Sequence, residues 1–220
     1  MKILVIAPHP DDEVLGCGGT IKKHSNSGDE VYLCVVTKPY TPDWSEEYIS
    51  QKPKEAKKSS EILGIKEIFF LDQPTVKLDT VGQKKLNDLI SEIIRKVEPE
   101  VLYIPFFGDI NKDHRLVSEA CLVAVRPRPS SFIKKVLAYE VRSETDWGRG
   151  VFEPFIPNVF VDVSDAIDEK IKAMSCYKTQ LKEWPHPRSL EGIKIFSKAR
   201  GMEAGLEYAE AFMLLRQVKS

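Results

Sequence analysis

Lys2-Ile3-Leu4-Val5-Ile6-Ala7-Pro8-His9-Pro10-Asp11-Asp12-Glu13 carries a buried-strand pattern straight into a cluster of charge. The unbroken apolar run from Ile3 to Ile6 suits a central parallel strand covered on both faces. At its end, four ionisable side chains fall within the five positions 9–13. Carboxylates placed like this inside a fold shift their pKa and neutralise unless something compensates them, and a divalent metal is the obvious compensation. The other half of such a site has to come from elsewhere. Asp109-Ile110-Asn111-Lys112-Asp113-His114 is the best candidate, because it too follows a strand-like run, Val101-Leu102-Tyr103-Ile104.

Outward from these two stretches, short apolar runs alternate with helical patterns. A helix over 13–25 closes at Asn26-Ser27-Gly28, with Gly28 suited to the left-handed position past the helix end and Asp11 or Asp12 able to N-cap its start. The second strand is 31–36. Residues 38–50, with two prolines, Trp44 and Tyr48, have no period and read as a loop that could cover a site. A helix over 54–63 stops at Gly64, and the third strand is 67–71. In 81–97, Leu86, Leu89, Ile90, Ile93, Ile94 and Val97 recur at spacings of three and four, which predicts an amphipathic helix ended by Pro99. The fourth strand, 101–104, leads to a helix over 114–125 that stops at Arg126-Pro127-Arg128-Pro129.

Four β-then-α units in succession imply an α/β fold, a mostly parallel sheet with helices on both faces. Ligands of such sheets sit outside the carboxyl ends of the strands, where both polar clusters lie. The C-terminal part is less regular. Strands are expected at 136–141 and 159–163, a helix at 164–178 with Ser164 as N-cap, and another helix at 188–199. Residues 210–216 suit either a last strand or a helix end.

With 220 residues, 42% hydrophobic and 30% charged, the chain can bury a well-covered core and is expected to form one domain over 1–220. A net charge of −1 argues against a nucleic-acid or anionic-membrane partner and for a small molecule. Cys17, Cys34, Cys121 and Cys176 are far apart and form no C-x-x-C pair, so neither a disulfide framework nor a thiolate zinc site is indicated. The first apolar run is too short for a signal peptide or a membrane span, and a cytoplasmic location is the default expectation.

His9 and Asp12 lie three apart where strand turns into helix, so an imidazole and a carboxylate can converge on one ion, with His114 as third ligand. Two histidines and one carboxylate leave a coordination position open, as in catalytic zinc sites and some iron sites. The bland alternative is that His9 and Asp12 cap the first helix and His114 is a core or cap histidine. Asp11 cannot easily point the same way as Asp12; it is free to act as general base and then acid, or to cap the helix. Glu13 reads first as a first-turn residue that favours the helix dipole, contact with the site being the alternative.

Ala7-Pro8-His9-Pro10-Asp11-Asp12-Glu13 resembles the N-terminal signature of the PIG-L (LmbE-like) zinc de-N-acetylases, and Asp113-His114-Arg115 resembles that family's second motif. The likeness spans roughly positions 1–125 in order, including Lys52-x-x-Glu55 and Leu63-Gly64. It implies a Rossmann-like fold, one Zn²⁺ per chain on His9, Asp12 and His114, and Asp11 as the acid–base residue. It also implies hydrolysis of an N-acetyl group from an amino sugar or its conjugate, releasing acetate and a free amine with no organic cofactor, and it makes a homo-oligomer plausible. Two positions depart from the commoner pattern. Asn111 stands where many members have a histidine that helps hold the oxyanion; its amide N–H can donate the same bond but cannot carry a proton, the alternative being that it only shapes the turn before His114. Lys52 stands where many have arginine, and lysine cannot make arginine's planar bidentate contact. Asp113 is read as a partner that orients a neighbour.

The stretches 183–189 and 199–205 resemble C-terminal segments of one bacterial and archaeal subset of the family. They make His186, Arg188 and Arg200 candidate substrate contacts, an ordered surface loop being the alternative. Arg142 and Trp147, after an expected strand, are similar candidates, since a Trp either stacks on a sugar or simply packs. Two rival functions remain. Leu15-Gly16-Cys17-Gly18-Gly19 faintly echoes a dinucleotide fingerprint, which would make the chain a Rossmann-like nucleotide-binding protein. The run starts inside the helix, however, and the turn is acidic where a pyrophosphate would sit, so these glycines read better as close-packing positions. A non-catalytic zinc-dependent binding module is the other rival, disfavoured by the intact Asp11.

Overall fold

The computed structural model describes residues 1–127 and 132–219. Arg128 and Pro129, expected at the stop of the fourth helix, lie outside the described residues. β1 (Lys2–Ala7) is central, with β2 (Glu30–Lys38) on one flank and β4 (Val101–Pro105) on the other, both parallel to it. β3 (Glu67–Pro74) lies beyond β2 and β5 (Lys135–Tyr139) beyond β4, again parallel. β7 (Ala209–Gln217) runs antiparallel between β5 and the edge strand β6 (Val159–Asp162). The order is β3-β2-β1-β4-β5-β7-β6. The chain therefore winds outward through β2 and β3, then crosses back to lay β4 against β1. That reversal opens a crevice at the C-terminal ends of β1 and β4.

Residues of β1 alternate between two cores: Ile3, Val5 and Ala7 enter one, Leu4 and Ile6 the other, and all five are fully buried. The first core is roofed by α1 (Asp12–Asn26), α2 (Glu46–Leu63), α5 (Ile167–Ser175) and α6 (Leu190–Ala204), and the second by α3 (Gln83–Val97) and α4 (Lys112–Ala124). The expected stripe of α3 is the face that packs, with Leu86, Ile90, Ile93, Ile94 and Val97 buried. No helix among the described residues is long and apolar enough to cross a membrane.

Several boundaries differ from the sequence pattern. α2 starts at Glu46, inside the stretch expected to be loop, because Ser45 Oγ accepts the Tyr48 N–H at 3.2 Å and Glu46 and Glu47 occupy the first turn. Pro53 sits within the helix, where it supplies no backbone N–H. α5 spans less than 164–178, because Ser164 is turned back to donate to Asp162 Oδ1 at 2.6 Å, and Ala166 takes the cap position. α6 starts at Leu190 with Ser189 as its cap and runs on to Ala204, where Gly205 adopts φ 72°. Residues 210–216 are strand, and the C-terminal part completes the same sheet.

The glycines of α1 serve contact with the sheet and its neighbours. Gly16 faces the ring of Tyr139, and a Cβ on Gly19 would stand 2.7 Å from Val163 Cβ. The Lys170 ammonium enters beside them, donating to Glu210 Oε1 at 2.6 Å and to the Leu15 carbonyl at 3.0 Å. Glu210 in turn accepts the Gly19 and Thr20 amides at 2.8 and 2.7 Å, so one buried ion pair ties α1, α5 and β7 together. Replacing Glu210 by Ala strands a buried ammonium and two backbone donors. Denaturant unfolding is expected to register a loss of about 3–5 kcal/mol, with little change in the slope against denaturant.

Candidate metal centre and active site

The loop after β1 and the start of α4, which follows β4, meet at the crevice. His9 Nδ1, Asp12 Oδ2 and His114 Nε2 form a triangle whose three edges are each 3.2 Å. Donors ~2.0–2.1 Å from a tetrahedral ion stand roughly 3.3 Å apart, so the triangle has the size such an ion requires. These three residues form a cluster able to hold a metal ion. Each imidazole is oriented by a further carboxylate: His114 Nδ1 lies 2.7 Å from Asp109 Oδ2, and His9 Nε2 lies 3.1 Å from Asp113 Oδ2. The ring nitrogens left facing the centre are therefore Nδ1 of His9 and Nε2 of His114.

Charge at the cluster is lopsided. Burial opposes protonation of His9, yet hydrogen bonds with Asp113 and Asp12 carry its pKa up to about 9. His114 is pushed well above its usual value against the same penalty, by Asp12 and Asp109. Burial would raise Asp12, but His114 and His9 outweigh it and hold the carboxyl well below its usual range. This negative potential is what a divalent cation would neutralise.

Asp11 occupies the N-cap position of α1 but does not cap it: its φ is 122° and its side chain makes no cap bond. Nor does Asp12, whose Oδ2 accepts the His9 N–H at 2.8 Å. The capping expected of one or the other is thus absent. A positive φ at a residue other than glycine costs on the order of 1–3 kcal/mol. Its effect is to send the Asp11 carboxylate into the cleft, where Arg188 Nη1 approaches to 3.4 Å. Burial lifts Asp11 to about 6, with Arg188 pulling the other way.

The cleft has a volume of about 200 Å³. His9, Asp11 and Asn111 line it together with Trp44, Tyr48 and Lys52 from α2 and the loop before it, Glu144, and Gln180 and Arg188 from the segment between α5 and α6. Asn111 caps α4, its Oδ1 accepting the Asp113 N–H at 3.0 Å, which leaves its amide NH₂ as the end free to donate. Lys52 donates to Thr179 Oγ1 at 2.8 Å and lies 4.8 Å from the Tyr48 ring centroid. Arg188 also binds Glu144, Ser143 and Gln180 at 2.9, 2.8 and 3.2 Å.

Other candidates stay out of the cleft. The Arg142 guanidinium lies 3.3 Å from the Phe196 ring centroid and 3.8 Å from Asp146. His186 accepts the Arg188 N–H at 3.0 Å and meets Trp147 edge-on, and that indole is 56% exposed. Arg200 pairs with Glu140 and Glu203. The indole that does line the cleft is Trp44. The roles of Asp109, Glu144 and Gln180 were not read from the sequence. Asp109 carried a signal, lying within the quoted cluster, but the neighbouring Asp113 offered itself equally, and Glu13, within the first cluster, was read first as a first-turn residue.

An α/β sheet with an open two-imidazole, one-carboxylate cluster at its switch point and a spare carboxylate beside it defines a class of proteins able to hold a metal ion next to a group that can move protons. Within that class the chain belongs to the PIG-L family, GlcNAc-PI de-N-acetylase, which matches residues 4–125. It is 33% identical over 223 residues to the diacetylchitobiose deacetylase of Thermococcus kodakarensis, covering 95% of this chain and 81% of that protein. A solved structure of a conserved protein from Thermus thermophilus superposes with a TM-score of 0.79 at 27% identity, covering 99% of this chain and 96% of that one. The inhibitor-bound N,N'-diacetylchitobiose deacetylase of Pyrococcus horikoshii superposes with a TM-score of 0.78 at 25% identity, over 97% and 83% of the two chains. The chain is an enzyme of the de-N-acetylase class.

His9→Ala, Asp12→Ala and His114→Ala are each expected to lower bound divalent metal in the purified protein. Asp109→Ala keeps all three donors but frees the His114 ring, and competition with a chelator is expected to reveal a loss of about 10- to 100-fold in metal affinity. Undiminished metal in all four proteins would remove the cluster from consideration.

Proposed function

We propose that the chain is a zinc-dependent hydrolase that removes an N-acetyl group from an amino sugar or sugar conjugate, releasing acetate and a free amine. The 3.2 Å triangle of His9, Asp12 and His114, with the uncapped Asp11 carboxylate beside it at the cleft floor, carries this reading. Family membership and the neutral disaccharide in the name of the Thermococcus relative support the substrate class. A Zn²⁺ ion held by the three residues would supply Lewis acidity, making water acidic near neutral pH and polarising an amide carbonyl.

The chain's own groups then divide the work. Asp11 takes the proton of the attacking water as the C–O bond forms at the acetamide carbon. The same carboxyl returns that proton to the nitrogen as the C–N bond breaks. Asn111 donates its NH₂ to the carbonyl oxygen as charge builds on it, while its Oδ1 stays on the α4 backbone. Asp109 and Asp113 hold the imidazoles, and Lys52 and Arg188 flank the sugar with Trp44 and Tyr48 offering ring faces. The α1 glycines packed on Tyr139 and Val163 offer no support for nucleotide binding.

The zinc-loaded protein, incubated with a panel of N-acetylated sugars, is expected to release acetate and primary amine in equal amounts; no release from any member overturns the activity. Asp11→Asn is expected to keep its metal and lose at least ~10²-fold in kcat, since an amide cannot accept the proton. Wild-type turnover in that variant would place the base elsewhere. Asn111→Ala is expected to lower kcat on the order of 10²-fold at nearly unchanged KM. Asn111→Asp, which keeps the capping oxygen, should lose rate similarly, and only the Ala variant should also lose about 1 kcal/mol of stability.

A further inference from the structure

Glu13 has no part in the reaction as described, yet it is fully buried in the first turn of α1, where an acidic side chain ordinarily lies in solvent. Its two oxygens have separate partners. Oε2 accepts the backbone N–H of Asp11 at 3.1 Å, and Oε1 accepts the hydroxyl of Tyr177 at 2.5 Å. Tyr177 is itself fully buried. Neither residue lines the cleft, and neither belongs to the metal cluster.

We propose that Glu13, backed by Tyr177, is a positioning residue that holds the Asp11 backbone at positive φ and thereby keeps the Asp11 carboxylate in the cleft. The proposal rests on Asp11 being the acid–base residue. Its physical basis is a competition. An aspartate immediately before a helix has a favourable alternative, the extended backbone with its carboxylate folded onto the first free amides of the helix. Asp11 stands at that position and does neither: its φ is 122° and its carboxylate bonds to no α1 amide. The strained conformation persists only if the surroundings over-determine it. In this conformation the N–H of the buried Asp11 has Glu13 as its partner. Without that acceptor the donor is buried and unpaired, and relaxation into the capping conformation satisfies backbone and side chain together. Tyr177 fixes which oxygen of Glu13 faces the amide. Arg188 restrains the other end of Asp11, at Oδ2, from the same segment that follows α5.

The test uses the full-length, zinc-loaded protein as wild type, Glu13→Gln, Glu13→Leu, Tyr177→Phe and Asp11→Asn, with kcat, KM and metal content measured on each preparation. Glu13→Leu is expected to lose on the order of 10²-fold in kcat, the cost of misplacing a reacting group by about 1 Å, with KM and metal retained. Glu13→Gln keeps a carbonyl for the Asp11 amide and an NH₂ for the Tyr177 oxygen, and should stay within about threefold of wild type. Tyr177→Phe removes one hydroxyl and should fall about tenfold, which decides the matter if the leucine variant does not fold. Unchanged kcat in Glu13→Leu or Tyr177→Phe overturns the proposal. So does a loss in Glu13→Gln equal to that in Glu13→Leu, or a rate loss that tracks lost metal. Full activity of Asp11→Asn overturns the acid–base assignment instead. A crystal structure of Glu13→Leu or Tyr177→Phe reads the proposal without any turnover: Asp11 is expected at negative φ with its carboxylate on the α1 amides, and a retained positive φ overturns it.

Discussion

Four carboxylates, Asp11, Asp12, Asp109 and Asp113, are buried around two imidazoles at the C-terminal ends of β1 and β4, and the arrangement of the site follows from the need to compensate them. Buried charge is tolerated only when it is paired or hydrogen-bonded. Every part of the switch point contributes. β1 delivers His9 and Asp12, and the segment after β4 delivers Asp109, Asn111 and Asp113. The segment after β3 turns two amides, those of Val76 and Leu78, onto Asp113 at 2.6 and 3.4 Å. Thr145, beyond β5, donates to the free oxygen of Asp109. Each carboxylate that orients an imidazole is thus itself oriented, which keeps the donor triangle at the size of a metal ion.

The cluster is buried on the sheet side, while His9 and Asp11 line a cleft on the other, and that asymmetry is what the proposed reaction needs. The open side is walled by groups from distant parts of the chain: Trp44, Tyr48 and Lys52 near the start of α2, and Gln180 and Arg188 between α5 and α6. The cations there are paired, Arg188 with Glu144 and Asp11, Lys52 with the Thr179 hydroxyl beside Glu55. A wall so balanced suits hydroxyl groups and ring faces better than a highly charged ligand. The antiparallel β7 and the buried Lys170–Glu210 pair serve this wall indirectly, because they anchor α5 and with it the start of the segment that follows.

Much of this was legible in the chain before any coordinates. The uninterrupted run Ile3 to Ile6, the stripe of α3 and the repeated strand-to-helix alternation determine a doubly covered parallel sheet, because burial on both faces and period 3.6 leave few other readings. The spacing of His9 and Asp12 placed two donors on one turn, and His114 after another strand supplied a third from the same end of the sheet. What the sequence misjudged were matters of competition between local and distant partners. Ser45 began α2 within the stretch expected to be loop, Ser164 gave up its cap for Asp162, and Arg142 and His186 found partners outside the cleft.

By itself, then, the sequence determined the fold class and pointed to His9, Asp12 and His114, since the strand-to-helix alternation brings the segments after β1 and β4 to one end of the sheet although His9 and His114 lie 105 positions apart. The tertiary structure alone decided that Asp109 and not only Asp113 holds a histidine, that Trp44 and not Trp147 faces the cleft, and that Glu13 is buried beneath Asp11. Those choices turn on contacts across as many as 164 positions, Tyr177 to Glu13, and on a backbone φ of 122° at Asp11, which residues other than glycine seldom adopt. Neither leaves a trace in local pattern, because each is set by what the rest of the molecule packs against it.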